Sequence, residues 1–218
     1  MKESARKEFE LIFTHFPELS VCRETILSAF GYMLACYRSG GMIMTCGNGG
    51  SASDAEHIVG ELMKGFKLKR PITPRQRQSL EEAFPEEGGY LAGHLQGAIP
   101  AISLVSQSAF SSAFINDVAP DMAFAQQVFA YGKAGSLLIA LSTSGNSPNV
   151  ANACKVAKAL HLKTIALTGD QGGILAALCD VAITVPATET YRIQEYHLPI
   201  YHTLCAMLEK EVFGSQTS

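Results

Sequence analysis

Residues 136–150 read SLLIALSTSGNSPNV. The run 136–141 is apolar, short and without polar alternation, as in a strand buried on both faces of a parallel sheet. Ser142 to Ser147 is a hydroxyl-rich turn around Gly145. Ser147 is placed to cap a helix, and Pro148 suits its first position. Strand, turn and helix start therefore follow within fifteen residues. The same succession occurs upstream in MIMTCGNGGSAS at 42–53. Further strand-like runs lie at 99–105, 163–168 and 181–185. Helical patterns fall at 51–66, 120–132, 147–160 and 171–179, and a long final helix covers about 190–213. Short apolar strands alternating with amphipathic helices predict an α/β fold, a five-stranded parallel sheet flanked by helices.

Two N-terminal helices are expected ahead of the sheet, at 3–16 and 20–39, separated by Pro17 and closed by Gly40-Gly41. They carry Phe9, Ile12 and Phe16, then Val21, Ile26, Phe30, Met33 and Tyr37. Left uncovered, they would form a larger apolar patch than monomers usually expose. Residues 67–98 break the rhythm. They are charged and rich in Pro and Gly, with a short helix expected near 77–84, and they read as an insertion into one domain spanning 1–218.

Composition narrows the function. Hydrophobic residues are 47% and charged residues 17% of 218, the balance of a chain with a sizeable core. Seventeen Lys and Arg against 20 Asp and Glu give a net charge of −3, with no basic excess for nucleic acid. No apolar run reaches the length of a membrane span. The N-terminus MKESARKEFE is too charged for a signal peptide, so a cytoplasmic protein is expected. The six cysteines form no CxxC pair and read as small buried hydrophobes.

The two glycine-rich turns are the first chemical signal. Backbone N–H groups converging at a helix start make an anion site. Gly47 to Ala52 also fits the loose dinucleotide pattern, but the next strand ends in Ser103–Ser106 without the acid that would hold a ribose. No Walker lysine follows either turn. No nucleotide cofactor is therefore expected, and a phosphate monoester is the fitting ligand. His57 and Glu61, four apart after the first turn, share one helix face. Gln194, His197 and His202 lie in the final helix, where Pro199 predicts a kink or a late start. Asn116-Asp117 reads as a plain turn.

GNGGSASDAEH, STSGNSPNV, LTGDQGG and RIQEYH, in this order, resemble the SIS (sugar isomerase) domain family, and within it the phosphoheptose isomerases. The likeness runs from about residue 5 to 213. It implies a flavodoxin-like three-layer sandwich and a homotetramer with active sites at subunit interfaces. It implies an acid–base pair, Glu61 and His202, and one Zn2+ per subunit on His57, Glu61, Gln194 and His202. Substrate-binding positions carried over are Asn48, Gly49, Gly50, Ser51, Glu61, Asn116, Asp117, Ser142, Thr143, Ser144, Ser147 and Gln194. The implied reaction converts sedoheptulose 7-phosphate to D-glycero-D-manno-heptose 7-phosphate through an enediol. Two alternatives stay open: an isomerase of another long-chain sugar phosphate, such as an octose phosphate, and a non-catalytic phosphosugar-binding adaptor associating with a replication initiator.

Overall fold

A computed structural model describes residues 1–214. The chain opens with α1 (Glu3–His15), a 3-10 segment at Pro17–Cys22 and α2 (Arg23–Arg38). Next come β1 (Ile43–Cys46), α3 (Gly50–Met63), α4 (Pro74–Ala83), α5 (Gly88–His94), β2 (Ala101–Ser103) and α6 (Ser108–Asp117). After a short 3-10 turn follow α7 (Ala123–Tyr131), β3 (Leu137–Leu141), α8 (Pro148–Ala159), β4 (Lys163–Thr168), α9 (Gly173–Leu178), β5 (Val181–Thr184) and α10 (Thr190–Phe213).

All strand pairs are parallel, in the order β2-β1-β3-β4-β5. This is the flavodoxin-type order. It reverses direction between β1 and β3, and ligands in open α/β sheets bind where the order reverses. The strands serve two cores by strict alternation. Leu137, Ile139 and Leu141 of β3 join the core holding Phe9 of α1, Ile26 of α2, Ile58 of α3 and Ile200 of α10. Leu138 and Ala140 join the core holding Val128 of α7, Val150 of α8 and Leu175 of α9. Full burial of each such leucine contributes about 1.5–3 kcal/mol.

Several elements differ from the sequence-based expectation. The second strand is confined to Ala101–Ser103: Pro100 removes a ladder donor, and Leu104, whose N–H still donates to Thr45 O, already lies in a turn. The helix expected at 51–66 ends at Met63, where Lys64 is extended. The insertion holds two helices, not one. Thr73 and Gln76 form a capping box that starts α4, and α5 forms in spite of its glycines because Gly88 lies directly against the backbone of Leu80 and Glu81. Residues 108–117, with Asn116-Asp117, are helical and not a turn. No residue of α6 is buried, although Phe110 and Phe114 recur four apart. Pro199 sits inside α10 without ending it, and Glu195, whose carbonyl loses a donor, is exposed. The N-terminal helices pack inward. Phe9, Ile12, Ile26 and Phe30 are buried, and of the large hydrophobic side chains in these helices and their connection Leu11, Val21 and Leu27 remain exposed.

Among the described residues no helix is long and apolar enough to cross a membrane. Five of the six cysteines are buried and all six are free.

Candidate active site

The loops after β1 and β3 flank the point where the strand order reverses. They are tied by a reciprocal amide pair. Asn48 Nδ2 donates to Asn149 Oδ1, and Asn149 Nδ2 to Asn48 Oδ1, both at 2.9 Å. In the second loop Ser147 is the cap residue of α8, but its hydroxyl makes no capping bond. It pairs instead with the Ser142 hydroxyl at 2.9 Å, against the expectation that capping explains Ser147. Gly145 holds φ +67°, and a Cβ there would lie 2.0 Å from Gly172 O, so only glycine fits the turn. Ser142 is buried, Thr143 half-buried and Ser144 exposed, so the hydroxyls span the depth of the loop.

The first loop brings Gly49, Gly50 and Ser51 to the start of α3, with Ser51 buried in the first turn. A Cβ on Gly50 would lie 2.5 Å from the Gln194 side chain. Gln194 therefore lies against this loop. It stands eight residues before His202 on α10, about 12 Å along a helix. The structure thus brings Gln194 to the loop end and the other three members of the proposed metal set to the far end.

There, α3 and α10 lie side by side. His57 Nε2 is 3.1 Å from Glu61 Oε1, and His202 Nε2 is 3.5 Å from His57 Nε2. Lys64 Nζ approaches Glu61 Oε2 at 3.3 Å. The Glu61 side chain is 12% exposed, so its carboxylate opens to solvent through one narrow face. Burial, and then the neighbouring His57, hold the His202 imidazole below its ordinary pKa, which favours the neutral ring. Phe66 backs His202 with ring centroids 5.5 Å apart. Beyond His202 a cavity of about 310 Å³ opens between α1, α10 and Phe66–Lys67.

His197 is not part of this cluster. It is fully buried, with Nε2 3.4 Å from Thr168 O. Asn116 and Asp117 are exposed at the end of α6, and Asn116 Nδ2 donates to Asp117 Oδ1 at 2.7 Å. Within the described chain they contact neither loop through hydrogen bonds. Sequence reasoning missed Asn149, Asp54, Tyr201 and the Arg70–Glu209 pair. Asn149 stands directly after Pro148 in the second loop's motif and was the most accessible of these.

A sheet in 2-1-3-4-5 order with two glycine- and serine-rich loops at its reversal defines an α/β protein that takes an anionic ligand at that end. A SIS domain family model matches residues 108–209, and a second SIS domain model matches residues 19–79. The phosphoheptose isomerase of Rhodospirillum rubrum is 38% identical over 194 residues, 89% of each chain. That of Shewanella baltica is 36% identical over 217 residues, 98% of this chain and 97% of its own. The solved structure of phosphoheptose isomerase GmhA from Neisseria gonorrhoeae superposes with a TM-score of 0.69 at 32% identity, over 92% of this chain and 98% of that one. This chain belongs to the phosphoheptose isomerase family of SIS-domain proteins.

Proposed function

We propose that the chain interconverts sedoheptulose 7-phosphate and D-glycero-D-manno-heptose 7-phosphate, with Glu61 and His202 as its acid–base pair. The observation that carries this reading is the layout along α3 and α10. Hydroxyl-rich loops suited to a phosphate lie at one end, and a carboxylate with two imidazoles lies at the other. An extended sugar phosphate has its charged end and its carbonyl end separated in the same sense.

Glu61 takes the proton from C1 of the ketose. The C–H electrons form the C1–C2 double bond and the carbonyl oxygen on C2 gains a proton, which gives the enediol. The O1 proton then leaves as the C1 carbonyl forms, and Glu61 returns its proton to C2. His202 is the partner that exchanges the oxygen protons, its imidazole held toward the neutral form by burial and then by His57. Each positioned transfer contributes about 10²–10⁴-fold. Ser142, Thr143, Ser144 and Ser147, with the first N–H groups of α8, hold the phosphate. Gln194, against the first loop, and Asn48, Gly49, Gly50 and Ser51 complete the sugar contacts.

Zinc is part of the proposal. Among the described residues no three His, Cys, Asp or Glu side chains form a ready metal-holding group. The pairwise contacts nevertheless suit one. Two ligands at 2.0–2.1 Å from a tetrahedral ion are about 3.3 Å apart. The 3.1 Å and 3.5 Å contacts about His57 Nε2 bracket that spacing. Two imidazoles and a carboxylate are also donors that zinc takes. His57, Glu61 and His202 would hold the ion, with Gln194 as the outlying fourth member. A bound zinc would act as a Lewis acid on the substrate carbonyl.

A homotetramer with interfacial sites is also proposed. It is supported by α6, which buries none of its residues and leaves Ile115 exposed, with Val118 just beyond its end. The carried-over Asn116 and Asp117 lie on that uncovered helix, so a second subunit would bring them to a site. Free cysteines support a cytoplasmic location.

The test incubates purified protein with seven- and eight-carbon ketose phosphates and follows the products by NMR. Aldose formation from sedoheptulose 7-phosphate is expected. Turnover of the eight-carbon substrate alone would assign the octose reading, and binding without turnover would assign the adaptor.

A further inference from the structure

We propose that Tyr201 and Asp54 are a positioning pair that holds His57 in the tautomer protonated on Nδ1, so that the Nε2 lone pair faces Glu61 and His202. Tyr201 Oη lies 3.0 Å from His57 Nδ1 and 3.2 Å from Asp54 Oδ1. A phenol has one proton to give. The phenol proton goes to Asp54 Oδ1, and the phenol oxygen then accepts from His57 Nδ1–H. The reverse assignment would turn phenol lone pairs toward a carboxylate whose other oxygen, Oδ2, is already buried without a partner. Tyr201 is 2% exposed, so water cannot substitute for either contact.

The arrangement is built from two helices. Asp54 and His57 are three apart on α3, which puts them on one face. Tyr201 reaches across from α10, its ring edge-on to His57 with centroids 5.5 Å apart. A free histidine side chain in water favours the proton on Nε2. Here that tautomer would point an N–H at Glu61 and remove the nitrogen as a ligand. With Nδ1–H fixed, Nε2 and Glu61 Oε1 face each other as two acceptors at 3.1 Å, a pairing that calls for a cation between them. Outer partners of this kind orient metal-ligating histidines and typically change metal affinity 10–100-fold when removed. The metal part of this inference rests on the zinc reading above. The tautomer part stands on the hydrogen-bond geometry.

The test uses full-length protein labelled with 15N-histidine and stripped of metal by a chelator, because zinc on Nε2 would by itself leave the proton on Nδ1. Long-range 1H–15N spectra are recorded, with the His57 signals assigned by their loss in His57→Gln. A protonated, pyrrole-type Nδ1 is expected for His57. In Tyr201→Phe, which keeps the ring in the core, the fixed Nδ1–H signature should be lost. Zinc affinity, read by chelator competition, should fall 10–100-fold. Asp54→Ala should behave alike, while Asp54→Asn, which keeps an acceptor oxygen, should stay nearer wild type. A wild-type signature and affinity in folded Tyr201→Phe would overturn the proposal, as would a protonated Nε2 in the wild type. If the wild type takes no zinc, yet its Nδ1–H signature disappears in Tyr201→Phe, the zinc reading fails and the positioning pair stands.

Discussion

Arg70 and Glu209 form an ion pair in which neither side chain is exposed, with Nε 2.7 Å from Oε1. The pair is fully engaged. Glu209 also accepts from the N–H groups of Phe66 and Lys67 at 2.8 and 2.7 Å. Arg70 donates to the carbonyls of Leu62 and Glu61 at 2.8 and 3.1 Å, groups that α3 leaves without helical partners. Breaking one side strands a buried charge. Arg70→Leu or Glu209→Leu should each cost about 3–5 kcal/mol, while the double replacement should cost much less than the sum. Urea unfolding of the three variants checks this, and additive losses would refute the coupling.

The second prediction concerns the serine loop. Ser142→Ala with Ser144→Ala should weaken binding of the sugar phosphate by about 1.5–3 kcal/mol per lost bond to the charged phosphate. Calorimetric titration reads this directly, with far-UV circular dichroism as the control for folding. Unchanged affinity would move the phosphate away from this loop.

Glu61→Gln keeps shape and removes the base. Turnover should fall by two or more orders of magnitude, on the scale of a positioned general base. Zinc content, measured by atomic absorption on the same preparation, separates lost base from lost metal. Near wild-type turnover in this variant would sink the mechanism.

His197 gives a pH dependence of stability. Burial pushes its pKa from 6.5 down to about 4, and Nδ1 has no hydrogen-bond partner. A base with a depressed folded pKa leaves the unfolded chain binding more protons between these values. Stability is therefore unaffected above pH 6.5 and is lost as pH falls from 6.5 toward 4, by about 2 kcal/mol at pH 5. His197→Leu should flatten that limb in urea midpoints taken at pH 7 and pH 5. An equal slope in both proteins would assign the loss to other groups.

The sheet was legible because strands buried on both faces must be apolar throughout, as LLIAL at Leu137–Leu141 is. Both loops were legible because glycine and serine next to a helix start have few other uses. The acid–base residues were carried by resemblance more than by spacing, since a His/Glu pair four apart is common on any polar face. What was hidden depends on tertiary contact. α6 buries no face in spite of its Phe110–Phe114 spacing, and α5 is set by the packing of Gly88. Tyr201 reads as one more apolar residue of α10 until its hydroxyl is seen between His57 and Asp54. Gln194 reads as a partner of His202 until its distance along the helix is weighed against its contact with Gly50.

Gly97 N donates to Arg70 O at 2.6 Å, and Pro71 bridges to Gln96, so the stretch between leaves and re-enters the body at one place. α4 packs chiefly on α5. A segment attached in this way evolves like an appendage. It can be lengthened, shortened or rewritten while the helices bearing Glu61 and His202 remain under the constraint of chemistry. Descendants of this chain can therefore change what the hairpin meets without altering how a proton is moved.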